Sequence, residues 1–223
     1  MFKPILEAGR TELKQAIEKL IIESRPNLDF YFMLSISTLI VTLGLLENSA
    51  ITIIGGMVVA PLLSPILGIG LAITTASKKG LLWLIPNFLK AIGLSMLFAF
   101  VLAFFFGKVP GSLTSFQPNL NFFMIAFAAG AGGAYAWIRP NLSAAIPGIA
   151  ITVSLLPPLA ATSIGISQLS HNIIAGSFAL FLINLLGIIL ASVIVFLLFG
   201  FGALQAEEDK AVKEKGEAPE VKK

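Results

Sequence analysis

The chain has 223 residues, of which 57% are hydrophobic and 12% charged, with a formal net charge of +3. A water-soluble domain cannot hide that much apolar surface, so the composition excludes an ordinary soluble protein and points to an integral membrane protein. The absence of cysteine and a single histidine exclude disulfides, thiolate chemistry and the usual zinc-ligand sets.

The first 26 residues are expected to form an amphipathic cytoplasmic helix. Leu6, Leu13, Ile17, Leu20 and Ile21 recur at helical spacing with Lys and Glu between them. Such a helix lies on the membrane surface or against its neighbours. Pro26 separates it from the first apolar run. That run follows straight after a charged N-terminal stretch and carries no cleavage-site pattern, so no leader peptide is expected.

Residues 27–203 read as an all-α polytopic membrane domain. A bilayer core needs about 20 apolar residues as helix. Six segments qualify: Leu28–Leu46, Ala50–Ala76, Trp83–Phe106, Asn121–Trp137, Ser143–Ile166 and Asn172–Phe201. With the N-terminus inside, thirteen of the fifteen Lys and Arg residues fall on the cytoplasmic side, Lys108 falls outside and Lys90 within a span. That bias predicts cytoplasmic N- and C-termini in a multi-pass plasma-membrane protein. Residues 204–223, with almost no large apolar side chain, are expected to be a disordered cytoplasmic tail.

Two phrases inside this domain are unusual. Residues 55–68 read GGMVVAPLLSPILG and residues 147–160 read PGIAITVSLLPPLA. At an offset of 92, Ile54, Gly56, Leu63, Pro65 and Leu67 meet Ile146, Gly148, Leu155, Pro157 and Leu159. The match suggests two repeats, 27–107 and 120–201, of three spans each. An odd number of spans makes the second copy enter from the other side, an inverted repeat of the kind found in secondary transporters.

Proline removes an amide donor and crowds the carbonyl four residues back. Pro61 and Pro65 should therefore loosen span two, and Pro147, Gly148, Pro157 and Pro158 span five. Freed backbone groups are tolerated at membrane depth only where protein or a wet cavity covers them. The expected solute or ion site comprises Gly55, Gly56, Pro61, Ser64, Pro65, Pro147, Gly148, Thr152, Ser154, Pro157 and Pro158. Kinks made only for packing are the competing explanation.

The phrases GGMVVAPLLSPILGIGLA (55–72) and AAIPGIAITVSLLPPLAATSIG (144–165) resemble an uncharacterised hydrophobic membrane family, domain of unknown function 389. The likeness covers roughly residues 28–200. It implies a multispan membrane protein and supplies no substrate.

Ionisable residues in or near spans are functional candidates. Glu47, in the tight turn between spans one and two, Lys90 in span three and Arg139 between spans four and five are candidate charged gates. Their bland readings are a polar turn, a snorkelling lysine and positive-inside anchoring. Asn184, within span six, is expected to make an interhelical hydrogen bond. Span four reads AFAAGAGGAYAW (126–137), whose small residues allow close helix approach to span five or to another subunit. A homo-oligomer of unspecified number is expected.

No paired carboxylates, GxSxG context, phosphate loop or cofactor motif is visible, so enzymatic work is not expected and no cofactor is assigned. The net charge has its role in topology and lipid contact rather than in nucleic-acid binding. The leading expectation is a transporter or channel for a small ion or solute, built on broken helices two and five. The alternative is a membrane scaffold or interaction protein without flux.

Overall fold

The computed structural model describes residues 5–6, 8–106, 116–146, 148–149 and 155–216. All regular structure among them is helical: α1 (Arg10–Glu23), α2 (Leu28–Leu46), α3 (Ala50–Val59), α4 (Leu63–Thr75), α5 (Lys78–Phe106), α6 (Leu120–Ile138), α7 (Leu156–Ser167), α8 (His171–Leu198) and α9 (Gln205–Ala211). A 3-10 turn covers Pro140–Ala145, and a π-helical turn, Val212–Gly216, continues α9.

Helix starts are set by side chains that accept backbone amides. Asn27 Oδ1 accepts from Phe30 N at 2.8 Å, and Asn119 Oδ1 from Phe122 N at 3.0 Å. The ends of α2, α4 and α7 share one device. Asn48, Ala76 and Leu169 take left-handed φ values of 52°, 55° and 55°. The next amide then reaches back along the turn, Ser49 N to Gly44 O, Ser77 N to Ala72 O and Ser170 N to Gly165 O.

Helices α2, α5, α6 and α8 are each long and apolar enough to cross a membrane, and α3 with α4 forms a pair bent by 55°. Span two is broken between Val59 and Leu63, as its prolines lead one to expect. Span five is not one helix over Ser143–Ile166: its first residues lie in the 3-10 turn, its end is α7, and residues 150–154 lie outside the described residues.

The short helices α4 and α7 each pack on both α5 and α8. Helix α2 pairs closely with α3. Gly56 permits this, since a Cβ there would fall 2.7 Å from Val41 Cγ2 and 3.0 Å from Val41 N. Ser37 Oγ then donates to Gly56 O at 2.6 Å. The small face of α6 packs closely against α8, with Gly130 against the Ile188 backbone, and its Gly132 and Gly133 face Ile149 of the fifth expected span.

Helix α1 docks on the end of the bundle formed by α4, α6 and α9. It buries Leu13, Ala16, Ile17, Leu20 and Ile21, one stripe at helical spacing. Each large aliphatic side chain so buried contributes roughly 1.5–3 kcal/mol, which favours docking over a free helix.

The expected disordered tail is corrected over residues 205–216, which form α9 and the π turn on α1, α4 and α5. Leu204, Glu208, Ala211 and Val212 are buried along one face, so this segment has an apolar stripe that its overall composition conceals. Residues 217–223 lie outside the described residues.

Candidate functional site

The break between α3 and α4 opens onto a cavity of about 380 Å³. Val58, Val59, Ala60, Pro61, Leu63 and Ser64 form its broken-helix wall. Phe30 and Met33 of α2 and Ile22 of α1 add apolar surface. Glu23, Arg25, Asn27 and Asp29 supply charge and polarity, and Trp137 of α6 with Ile146 completes the lining.

Backbone electrostatics make this break chemically distinct. Residues at the carbonyl end of α3 and at the amide end of α4 line one cavity, which brings the partially negative and partially positive ends of two helices to its wall. Trp137 is 5% exposed, and its Nε1 has no acceptor among the described residues. An indole N–H that is buried usually has a partner. Lys19 Nζ lies 5.0 Å from the centre of the Trp137 ring, a cation–π contact from α1. Burial pushes the Glu23 carboxyl above its ordinary value of 4.5, against the opposing pull of Lys19. The cavity therefore offers donors, acceptors and a half-apolar wall, suited to a small polar solute.

The structure divides the residues singled out in the sequence. Pro61 lies in the break and Ser64, buried, lines the cavity beside it. Pro65 is the third residue of α4, and Pro157 and Pro158 are the second and third of α7. These three do not loosen a running helix as expected. They occupy first turns, where the missing N–H had no intrahelical partner to lose. Gly56 serves the α2–α3 contact, whereas Gly55 and Gly148 have open space where a Cβ would project. Pro147, Thr152 and Ser154 lie outside the described residues. The two phrases do approach one another: Ile146 lines the cavity, and both Leu63 and Ile149 lie within van der Waals reach of a Cβ at Gly133.

The charged candidates are elsewhere. Glu47 caps the end of α2 and is exposed, and Lys90 is exposed on α5. Arg139 reaches Glu12 of α1 at 3.7 Å and lies 5.4 Å from the Phe199 ring centre, tying three elements together. Asn184 is buried in α8.

Sequence reasoning missed a second polar centre. Glu208 is fully buried where α9 meets the α4–α5 turn. Thr75 Oγ1 donates to its Oε2, while Oε1 has no partner among the described residues. A Cβ at Gly80 would collide with Oε1, so the glycine makes room for the carboxyl. Burial pushes Glu208 up to about 7; the Thr75 bond lowers it, and Asp209 raises it further. Next to it, Ser77 Oγ donates to Asp209 Oδ1 at 2.6 Å and accepts from Gly80 N at 2.8 Å.

Comparison with known proteins settles the family. The profile described as Domain of unknown function (DUF389) matches residues 57–190, more than half of the chain and most of both breaker phrases. The chain belongs to this family. A chain of related sequence, an uncharacterised protein of Methanocaldococcus jannaschii, is 31% identical over 177 residues, covering 75% of this chain and 53% of its own length. The DUF389 chain thus spans about half the length of that relative. No solved structure matches.

Proposed function

We propose that this DUF389 protein is a multi-pass membrane transporter or channel for a small ion or polar solute, with its binding site at the α3–α4 break. The observation that carries the reading is the cavity itself, where both ends of a broken helix and the Trp137 side chain line one space. A kink made only for packing would close over its backbone; this one faces an opening of solute size.

An inverted repeat is part of the proposal. Supporting it, the aligned prolines Pro65 and Pro157, ninety-two residues apart, both sit in the first turn of a short helix, α4 and α7. We place both termini in the cytoplasm of a plasma-membrane protein, which puts α1, α9 and the cavity mouth on the inner side. Oligomerisation and the contribution of Glu47, Lys90 and Arg139 to gating belong to the same proposal.

The test is a ligand screen read by tryptophan fluorescence and thermal unfolding. The chain has two tryptophans, so Trp83→Phe leaves Trp137 as the reporter. The panel is monovalent and divalent ions, inorganic phosphate, carboxylates and amino acids. A ligand at a hundred times its dissociation constant adds about 2.7 kcal/mol of stability and should shift Trp137 emission. Folded protein that responds to none of the panel would count against a solute site at the break.

A further inference from the structure

A second cleft lies on the outside of the bundle, where the first turns of α5 meet the π turn. It has a volume of about 430 Å³ and is lined by Lys79, Leu82, Trp83, Val212 and Lys213. No acidic residue lines it among the described residues. The acids of the C-terminal segment are engaged elsewhere: Glu207 with Lys14 at 3.6 Å, Glu214 with Lys210 at 3.9 Å, Asp209 with Ser77, and Glu208, fully buried, with Thr75. Neither Lys79 nor Lys213 is in an ion pair among the described residues.

Charge and position together define the occupant. Two exposed lysines converge at the polar end of a long apolar helix, beside a half-buried indole. Leu82 is 77% exposed and Leu89 is 59% exposed, with Pro86 on the same face between them. That stripe runs from the cleft along α5. Basic pockets at membrane-helix ends attract anionic headgroups, and tryptophan favours the same interfacial depth.

We propose that this cleft binds the phosphate headgroup of an anionic phospholipid, with its acyl chain along Leu82, Pro86 and Leu89. The inference rests on α5 being a membrane span. The lysines contact the headgroup as ammonium donors, and the lipid joins the C-terminal turn to α5. The site is separate from the α3–α4 cavity and does not need a transported solute.

The experiment uses the purified full chain in neutral detergent, with phosphatidylglycerol, phosphatidylcholine or inorganic phosphate added, and reads thermal midpoint and binding by native mass spectrometry. Phosphatidylglycerol should raise the midpoint and remain bound where phosphatidylcholine does not. Lys79→Gln and Lys213→Gln should each weaken it roughly fivefold, and the double variant on the order of 30-fold. The Lys79→Arg, Lys213→Arg pair should keep most of the binding, and the lipid-free midpoints check that all variants fold. Equal binding of phosphatidylcholine, an equal effect of inorganic phosphate at the same concentration, or undiminished preference in a folded double glutamine variant would overturn the proposal. Release of the chain from carbonate-washed membranes would instead sink the span on which it rests.

Discussion

Glu208 makes docking of the C-terminal segment dependent on pH. The docked carboxyl holds its proton up to about 7, whereas its ordinary value is 4.5. The docked state therefore binds more protons between those values. Its stabilisation is complete below pH 4.5, declines as pH rises towards 7 and is lost above it. At about 1.4 kcal/mol per pH unit the gap corresponds to about 3 kcal/mol, most of it between about pH 5 and pH 8. No titratable residue of α4 faces the carboxyl; Lys78 and Lys79 at the start of α5 are exposed, and Arg10 and Lys14 of α1 hold Glu207. Amide hydrogen exchange of residues 205–216, corrected for intrinsic rates, reads the effect. Protection should fall on the order of a hundredfold between about pH 5 and pH 8, while α5 and α8 stay protected. Glu208→Gln, neutral and nearly the same shape, should flatten the profile. Equal protection at both pH values, or the same pH dependence in the glutamine variant, would refute the reasoning.

Other perturbations address the bundle and the break. Gly56→Val should cost about 1–3 kcal/mol by forcing α3 away from Val41, seen as a lower thermal midpoint. Leu169→Gly should stabilise by about 1 kcal/mol, because an 82% exposed leucine loses little packing while left-handed strain is relieved. Ser37→Ala should lose about 1 kcal/mol with the hydroxyl bond to Gly56 O, a change that denaturant unfolding in detergent can measure. Trp137→Phe shrinks the indole wall of the cavity and removes the fluorescence reporter, so thermal unfolding reads it: the ligand-induced stabilisation should weaken with little loss of folded protein.

Local rules make the helices legible. Asn27 and Ser49 at helix starts, the apolar runs between them and the stripe Leu13, Ile17, Leu20 and Ile21 carry their structure in short-range spacing. The breaker phrase also locates one wall of the cavity, through Pro61 and Ser64. The remaining walls come from α1, α2 and α6, and no local pattern announces that Glu23, Asp29 and Trp137 meet there. Pro65, Pro157 and Pro158 depart from expectation for a positional reason: a proline weakens a helix interior but starts a helix at its first turn, and only the break position separates the two cases. The C-terminal segment AEEDKAV reads as disordered by composition. Its signal is the spacing of Leu204, Glu208, Ala211 and Val212, a helical stripe in which a glutamate occupies a core position, made tolerable by Thr75 and by the missing side chain of Gly80.

The most direct test of a solute path at the α3–α4 break is flux through reconstituted vesicles, using the solute that the Trp137 screen returns. Wild-type protein and Val58→Trp, which places a bulky ring into the cavity from a position 46% exposed, are compared at equal incorporation. Solute-specific flux above protein-free vesicles, abolished in the folded tryptophan variant, is the predicted result. A bound solute that never crosses, or flux that the filled cavity leaves unchanged, would contradict it.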